Sequence, residues 1–169
     1  MKTHTLSARR RWLAVVSGGF LGAITRYLLS ATIQSAVGKA WPYDIFVINL
    51  TGAFVLALVT ALADSTTLIG PTRRLFINVG FLGAYTTFSS LSLGAFQLIN
   101  AGKWPLGLLY LVGSLVGGML AVLLGDWLGQ LVVKQGQARA EKRYPLGKNS
   151  QPGYEADKVD LEEDVLERS

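Results

Sequence analysis

The sequence predicts an all-α integral membrane protein of four transmembrane helices, with the third helix broken at mid-membrane. Three observations lead there. Charged residues make up only 16% of the chain, half of which is apolar, and most of them lie before residue 12 or after residue 133. Between those limits, four stretches reach the roughly 20 apolar residues that a bilayer crossing needs. The third of them is overlong and carries glycine and hydroxyl residues at its centre. A soluble domain of this size would place charges on every exposed helix face; the outer surface of this one must meet lipid.

Residues 1–11 form a basic N-terminal tail, with Arg9, Arg10 and Arg11 directly before an apolar run. That arrangement imitates a signal peptide, but no clear small-residue cleavage site follows and three further spans do, so the run reads as the first span. It covers about residues 12–37 and is interrupted only by Arg26. The second span, 45–63, carries no charge. The third, 75–102, is uncharged for 28 residues; the fourth, about 104–130, is uncharged for its first 22. Trp12, Trp41, Tyr43, Trp104 and Trp127 fall near span ends, where an aromatic belt places them. Residues 134–169 make a polar C-terminal tail, basic to Lys148 and acidic from Glu155, in which Leu161, Val165 and Leu166 would line one side of a helical turn if one formed. Its composition favours disorder or a surface-lying segment.

Four spans put both termini and the loop between spans two and three on one side. Counted as far as Lys148, that side holds Lys2, Arg9, Arg10, Arg11, Arg73, Arg74, Lys134, Arg139, Lys142, Arg143 and Lys148, against Lys39 and Lys103 on the other. Eleven against two predicts cytoplasmic termini, since basic loops stay inside. The net charge of +5 is therefore read as headgroup contact and not as nucleic-acid binding.

As one helix, the third span would be about 42 Å long at 1.5 Å per residue, against a hydrocarbon core of about 30 Å. Gly80 and Gly83 precede five hydroxyl residues in seven positions: Thr86, Thr87, Ser89, Ser90 and Ser92. Hydroxyl side chains offer the backbone competing hydrogen bonds and weaken a helix. Unwound backbone at membrane depth persists only where protein or a cavity surrounds it, and there its carbonyls can hold a cation while hydroxyls meet an anion. Close helix packing explains a single small residue equally well; a dense cluster in an overlong span favours function.

Several chemistries are excluded. The chain has no cysteine, and its single histidine, His4, lies in the tail, which removes disulfides, thiol catalysis, most transition-metal sites and nucleophilic triads. No acid–base pair is visible, so the chain is not expected to be an enzyme. A small four-helix multidrug exporter, the main alternative, needs a carboxylate inside a span; Asp44, Asp64 and Asp126 all sit at span edges. A second alternative is a non-conducting accessory subunit that uses its glycine faces only to assemble.

The segment Gly83-Ala84-Tyr85-Thr86-Thr87-Phe88-Ser89-Ser90-Leu91-Ser92 resembles the signature of the CrcB/Fluc fluoride channels, close to G-G-x-T-T-F-S-T-F-S. Gly18 to Tyr27 resembles the family's opening G-G-x-x-G-A-x-x-R-Y, Val47 to Phe54 its second-span V-N-x-x-G-S-F, and Tyr110 and Ser114 its fourth-span pattern. The likeness covers roughly residues 12–130.

This resemblance implies a fluoride-selective channel in a bacterial cell membrane that lowers cytoplasmic fluoride by passive efflux. It implies an antiparallel two-fold dimer with two pores. Phe88 would be the first of two pore phenylalanines, its electropositive ring edge facing the anion. Asn49 would donate its amide to fluoride. Tyr110 and Ser114 would line a polar track with Thr87, Ser89 and Ser90 nearby. The carbonyls of Gly83 and Thr86 would bind a structural sodium ion. Arg26, on one helical face with Gly18 and Gly22, is expected to organise the interface or a pore entrance.

The chain departs from the signature at two places. Leu91 stands where the second phenylalanine belongs, and Gly94 where an acidic residue is usual. Gly118 also occupies a position that carries a pore hydroxyl in some members. A single sequence inserting both ways round needs near-equal charge on its two sides, which eleven against two disfavours. The expected partner is therefore a related subunit of opposite orientation, with the homodimer kept as the alternative.

Overall fold

The computed structural model of the chain describes residues 7–65 and 70–143, with side chains up to residue 138. The start of the N-terminal tail and the turn expected at Leu161, Val165 and Leu166 lie outside the described residues. The chain divides into two units, Met1–Lys134 and Gln135–Ser169. The second contributes, among the described residues, only the helical stretch 135–143.

Every described element is helical. Helix α1 runs Ala8–Val37 and α2 runs Tyr43–Ser65. The third span is assembled from α3 (Pro71–Arg74), a π-helical stretch Leu75–Leu82, α4 (Gly83–Tyr85) and α5 (Phe88–Asn100). Helix α6 runs Trp104–Arg143. Three of these helices, α1, α2 and α6, are long and apolar enough to cross a membrane unaided. The third crossing is divided into two half-spans, as its length and composition predict.

Local chemistry sets the ends. Gly38 closes α1 at a φ of 84°, in the left-handed region that favours glycine, and donates its N–H to the Gln34 carbonyl. Asp44 lies in the first turn of α2, where a carboxylate complements the helix dipole. Pro71 opens α3 at a position whose N–H needs no helical partner. Asp64 at the end of α2 pairs with Arg74 at 2.6 Å across the loop between the second and third spans.

Two apolar clusters hold the helices together. Ile48, Leu82 and Tyr85 are buried with Leu29, Val55, Ile77 and Phe81 packed around them. Leu91, Ala95, Leu98 and Tyr110 form the other, bordered by Trp41, Ile45, Phe46 and Leu111. Many large apolar side chains, among them Phe20, Leu109 and Met119, lie exposed, as a lipid-facing surface requires. Helix α1 crosses the π-helical stretch backbone to backbone at Gly18, Gly22 and Gly80.

Candidate functional site at the broken third span

The break is two residues wide. Thr86 and Thr87 are extended, at ψ of 155° and 119°. Their neighbours on α2 seat them. Asn49 donates its Nδ2–H to the Thr87 carbonyl at 3.0 Å, and the Thr87 N–H donates back to Asn49 Oδ1 at 2.9 Å. One side-chain amide thus satisfies both backbone groups of an unwound residue at membrane depth, where water is absent. One helical turn on, Gly52 leaves room for the Thr86 methyl, which a Cβ there would overlap.

Beyond the break, Thr87 caps α5: its hydroxyl accepts the Ser90 N–H at 3.2 Å and donates to Ser90 Oγ at 3.1 Å. A hydroxyl has one proton, so Ser89, 3.2 Å away, is the donor to Thr87 in that pair. Two carbonyls are freed as a result. The Thr87 N–H that an unbroken helix would give to Gly83 goes to Asn49, and the Ser90 N–H that would reach Thr86 goes to Thr87.

On α6, Tyr110 is fully buried and Ser114, one turn later, is 7% exposed. Neither hydroxyl has a hydrogen-bond partner among the described residues. A buried unpaired hydroxyl costs about 1–3 kcal/mol, and two on one helix face are an unusual concentration. Gly117 packs on Leu50 and nothing approaches Gly118 within 4 Å, so close helix contact accounts for one side of Ser114 only.

The expected pore residues are thus placed in three groups. Asn49, Thr87, Ser89 and Ser90 share one hydrogen-bonded cluster at the break. Tyr110 and Ser114 lie on α6, with Leu91 packed in the Tyr110 cluster. Phe88 joins neither: it is 75% exposed and projects from the subunit, whereas Leu91, three residues on, is buried. Arg26 is partly buried and makes no hydrogen bond or ion pair among the described residues.

Sequence reasoning missed three polar features. Asp44, at a span edge as expected, is only 3% exposed and accepts hydrogen bonds from Ser30 Oγ at 2.5 Å and Gln34 Nε2 at 2.7 Å. The signal was Ser30 and Gln34 themselves, polar at i, i+4 near the end of an apolar span. Asn78, in the π-helical stretch, donates to Thr60 Oγ1 at 3.0 Å and leaves its own Oδ1 unpartnered. Thr51 and Tyr85 hydroxyls meet at 2.9 Å beside the break.

Comparison with known proteins adds the family context. Residues 13–126 match the family described as CrcB-like protein, Camphor Resistance (CrcB). A Chloroflexus aurantiacus protein named Fluoride-specific ion channel FluC is 37% identical over 118 residues, which are 70% of this chain and 94% of that protein. Proteins of the same name from Chlorobium chlorochromatii and Acidobacterium capsulatum are 41% identical over 113 residues and 38% over 123. Those matches cover 67% and 73% of this chain, and 87% and 98% of the respective relatives.

Proposed function

The chain belongs to the CrcB-like family, and from that premise we propose that it is a subunit of a fluoride-selective channel through which fluoride leaves the cell passively. The observation that supports this best is the pair of buried, unpartnered hydroxyls of Tyr110 and Ser114. Fluoride is small and tightly hydrated, so a pore must replace its water with hydrogen-bond donors. Hydroxyls do so without a fixed charge that would hold the ion. The second Nδ2 hydrogen of Asn49, not used on Thr87, and the hydroxyl proton of Ser90, whose oxygen only accepts from Thr87, extend the donor set to the break.

Phe88 supports a pore wall at the subunit boundary, because an outward-facing ring can line a path only with a second subunit against it. An antiparallel two-fold dimer in which this subunit's own termini are cytoplasmic is the arrangement we adopt. Arg26, partly buried without a partner among the described residues, then serves that boundary or a pore entrance. The freed carbonyls of Gly83 and Thr86 fit a sodium ion, a hard cation that takes oxygen ligands. A sodium ion there supplies fixed positive potential at the depth of the break. The Asn49 clamp keeps the Gly83 carbonyl out of the helical ladder, and the Thr87 cap on the Ser90 N–H does the same for Thr86.

Substituting Tyr110→Phe and Ser114→Ala tests the donor role. Removing an unpaired buried hydroxyl should leave thermal stability unchanged or raised by about 1 kcal/mol. Fluoride efflux from liposomes, followed with a fluoride electrode, should nevertheless fall about tenfold or more in the double variant, roughly one lost hydrogen bond's worth. Undiminished efflux would remove the hydroxyls from the path; no efflux from the unaltered chain, with or without its second subunit, would defeat the channel reading.

The eleven-to-two basic bias supports a related, oppositely inserted subunit as the partner. Terminal topology reporters on the chain expressed alone should then report a single orientation. Equal populations of both orientations would favour the homodimer.

A further inference from the structure

At the end of the bundle formed by the α1–α2 and α5–α6 connections lies a cavity of about 370 Å³. Gln34, Lys39, Trp41, Asp44, Gln97 and Lys103 line it. Lys39 and Lys103 are exposed, and they are the two basic residues of that side. Asp44 is buried, 3% exposed, and it is held by Ser30 and Gln34. Gly94, where the signature's acidic residue is missing, also lines the cavity, and its Cβ position lies 3.3 Å from the Tyr110 ring. The cavity therefore abuts the residue that heads the proposed donor track.

We propose that this cavity is an anion-collecting site for small monovalent inorganic anions, in which Lys39 and Lys103 draw the ion in and Asp44 keeps it from being held there. The assignment of the ion as fluoride rests on the channel reading; the collecting site itself does not. Two cations against one carboxylate leave a formal surplus of one positive charge. Charge of one sign inside a low-dielectric cleft raises the local concentration of the opposite ion. Conduction further requires that the ion leave again, so binding has to stay weak. A buried carboxylate and two exposed lysines lining one cavity meet both needs: the lysines act at long range, and the carboxylate repels an ion that has come close.

Trp41 reports on the site. A chain that keeps Trp41 and carries Phe at Trp12, Trp104 and Trp127 has its one indole in the cavity wall. Quenching of its fluorescence by iodide reads the anion, and quenching by neutral acrylamide reads access alone. The double variant Lys39→Gln/Lys103→Gln, both at exposed positions, should lower the iodide constant about threefold or more and leave the acrylamide constant unchanged. Asp44→Asn should raise the iodide constant by a similar factor, about threefold. In efflux assays with the native tryptophans, Asp44→Asn should saturate at lower fluoride and reach a lower maximum, while the lysine variant should lose its dependence on ionic strength.

Iodide and acrylamide constants that change together, or lysine variants that change neither, overturn the proposal. The lysine arm decides even if Asp44→Asn does not fold. An unaltered channel that carries no fluoride, while the quenching pattern holds, would count against the fluoride reading and not against the site.

Discussion

Asn49→Ala is expected to abolish fluoride conduction and to do so by rewinding the third span. The native amide occupies both backbone groups of Thr87. Without it, two buried groups lack partners, at about 1–3 kcal/mol each. The chain has one local remedy: Thr87 returns its N–H to the Gly83 carbonyl and Ser90 returns its own to Thr86. That restores the ladder from Pro71 to Asn100, a helix of 30 residues and about 45 Å, against a bilayer core of about 30 Å. It also takes away both carbonyls proposed to bind sodium and turns the Ser89–Ser90 cluster to a new direction. Efflux should fall about 100-fold or more, the equivalent of roughly 3 kcal/mol. Asn49→Asp should fare no better, since it keeps the acceptor for the Thr87 N–H but sets a carboxylate oxygen against the Thr87 carbonyl. Gain of helix signal in circular dichroism together with lost efflux is the expected signature. Asn49→Ala protein that conducts like the native chain would show that the clamp is dispensable.

That clamp also marks where sequence reasoning stops. The spans and the existence of a break were legible, because charge, length and a run of hydroxyl residues are local properties. Asn49 was singled out by its motif, yet its engagement with a residue 38 positions away is a product of packing. Phe88 and Leu91 show the same limit on a smaller scale. Three residues apart on a helix, they are neighbours on nearly one face, and the spacing does not say that one is exposed and the other buried; the cluster around Tyr110 takes up Leu91 alone. The π-helical register of Leu75–Leu82 was not legible at all. Nothing in its composition calls for i→i+5 bonding, a form found mostly at functional sites, and it occurs where another helix presses on it. Asp44 was placed only at a span edge, because position along a span predicts depth and not burial.

The same crossing supplies the second large effect. Gly22→Val is expected to prevent assembly of the fold, and Gly22→Ala to destabilise it by about 1–3 kcal/mol, the usual cost of overpacking. A Cβ on Gly22 would overlap the Phe81 carbonyl, and one on Gly18 the Phe76 carbonyl, while one on Gly80 would lie 2.7 Å from the Val15 carbonyl. All three obstacles are backbone atoms, so no rotamer change relieves them; α1 or the π-helical stretch has to move. Between helices in lipid there is little hydrophobic gain to offset such a shift, because the tails are as apolar as the side chains and close contact carries the association. The displacement would also be transmitted, since the π-helical stretch leads through α4 directly into Thr86 and Thr87. Gly118→Ala is the matched control: nothing lies within 4 Å of its Cβ position, so the helix should gain about 0.5–1 kcal/mol. Thermal aggregation followed by size-exclusion chromatography should therefore separate two glycine-to-alanine changes in opposite directions. Equal stability of Gly22→Ala and Gly118→Ala would mean that α1 is held by its lipid-facing side chains and not by this backbone crossing, and that the break keeps its shape without the first helix behind it.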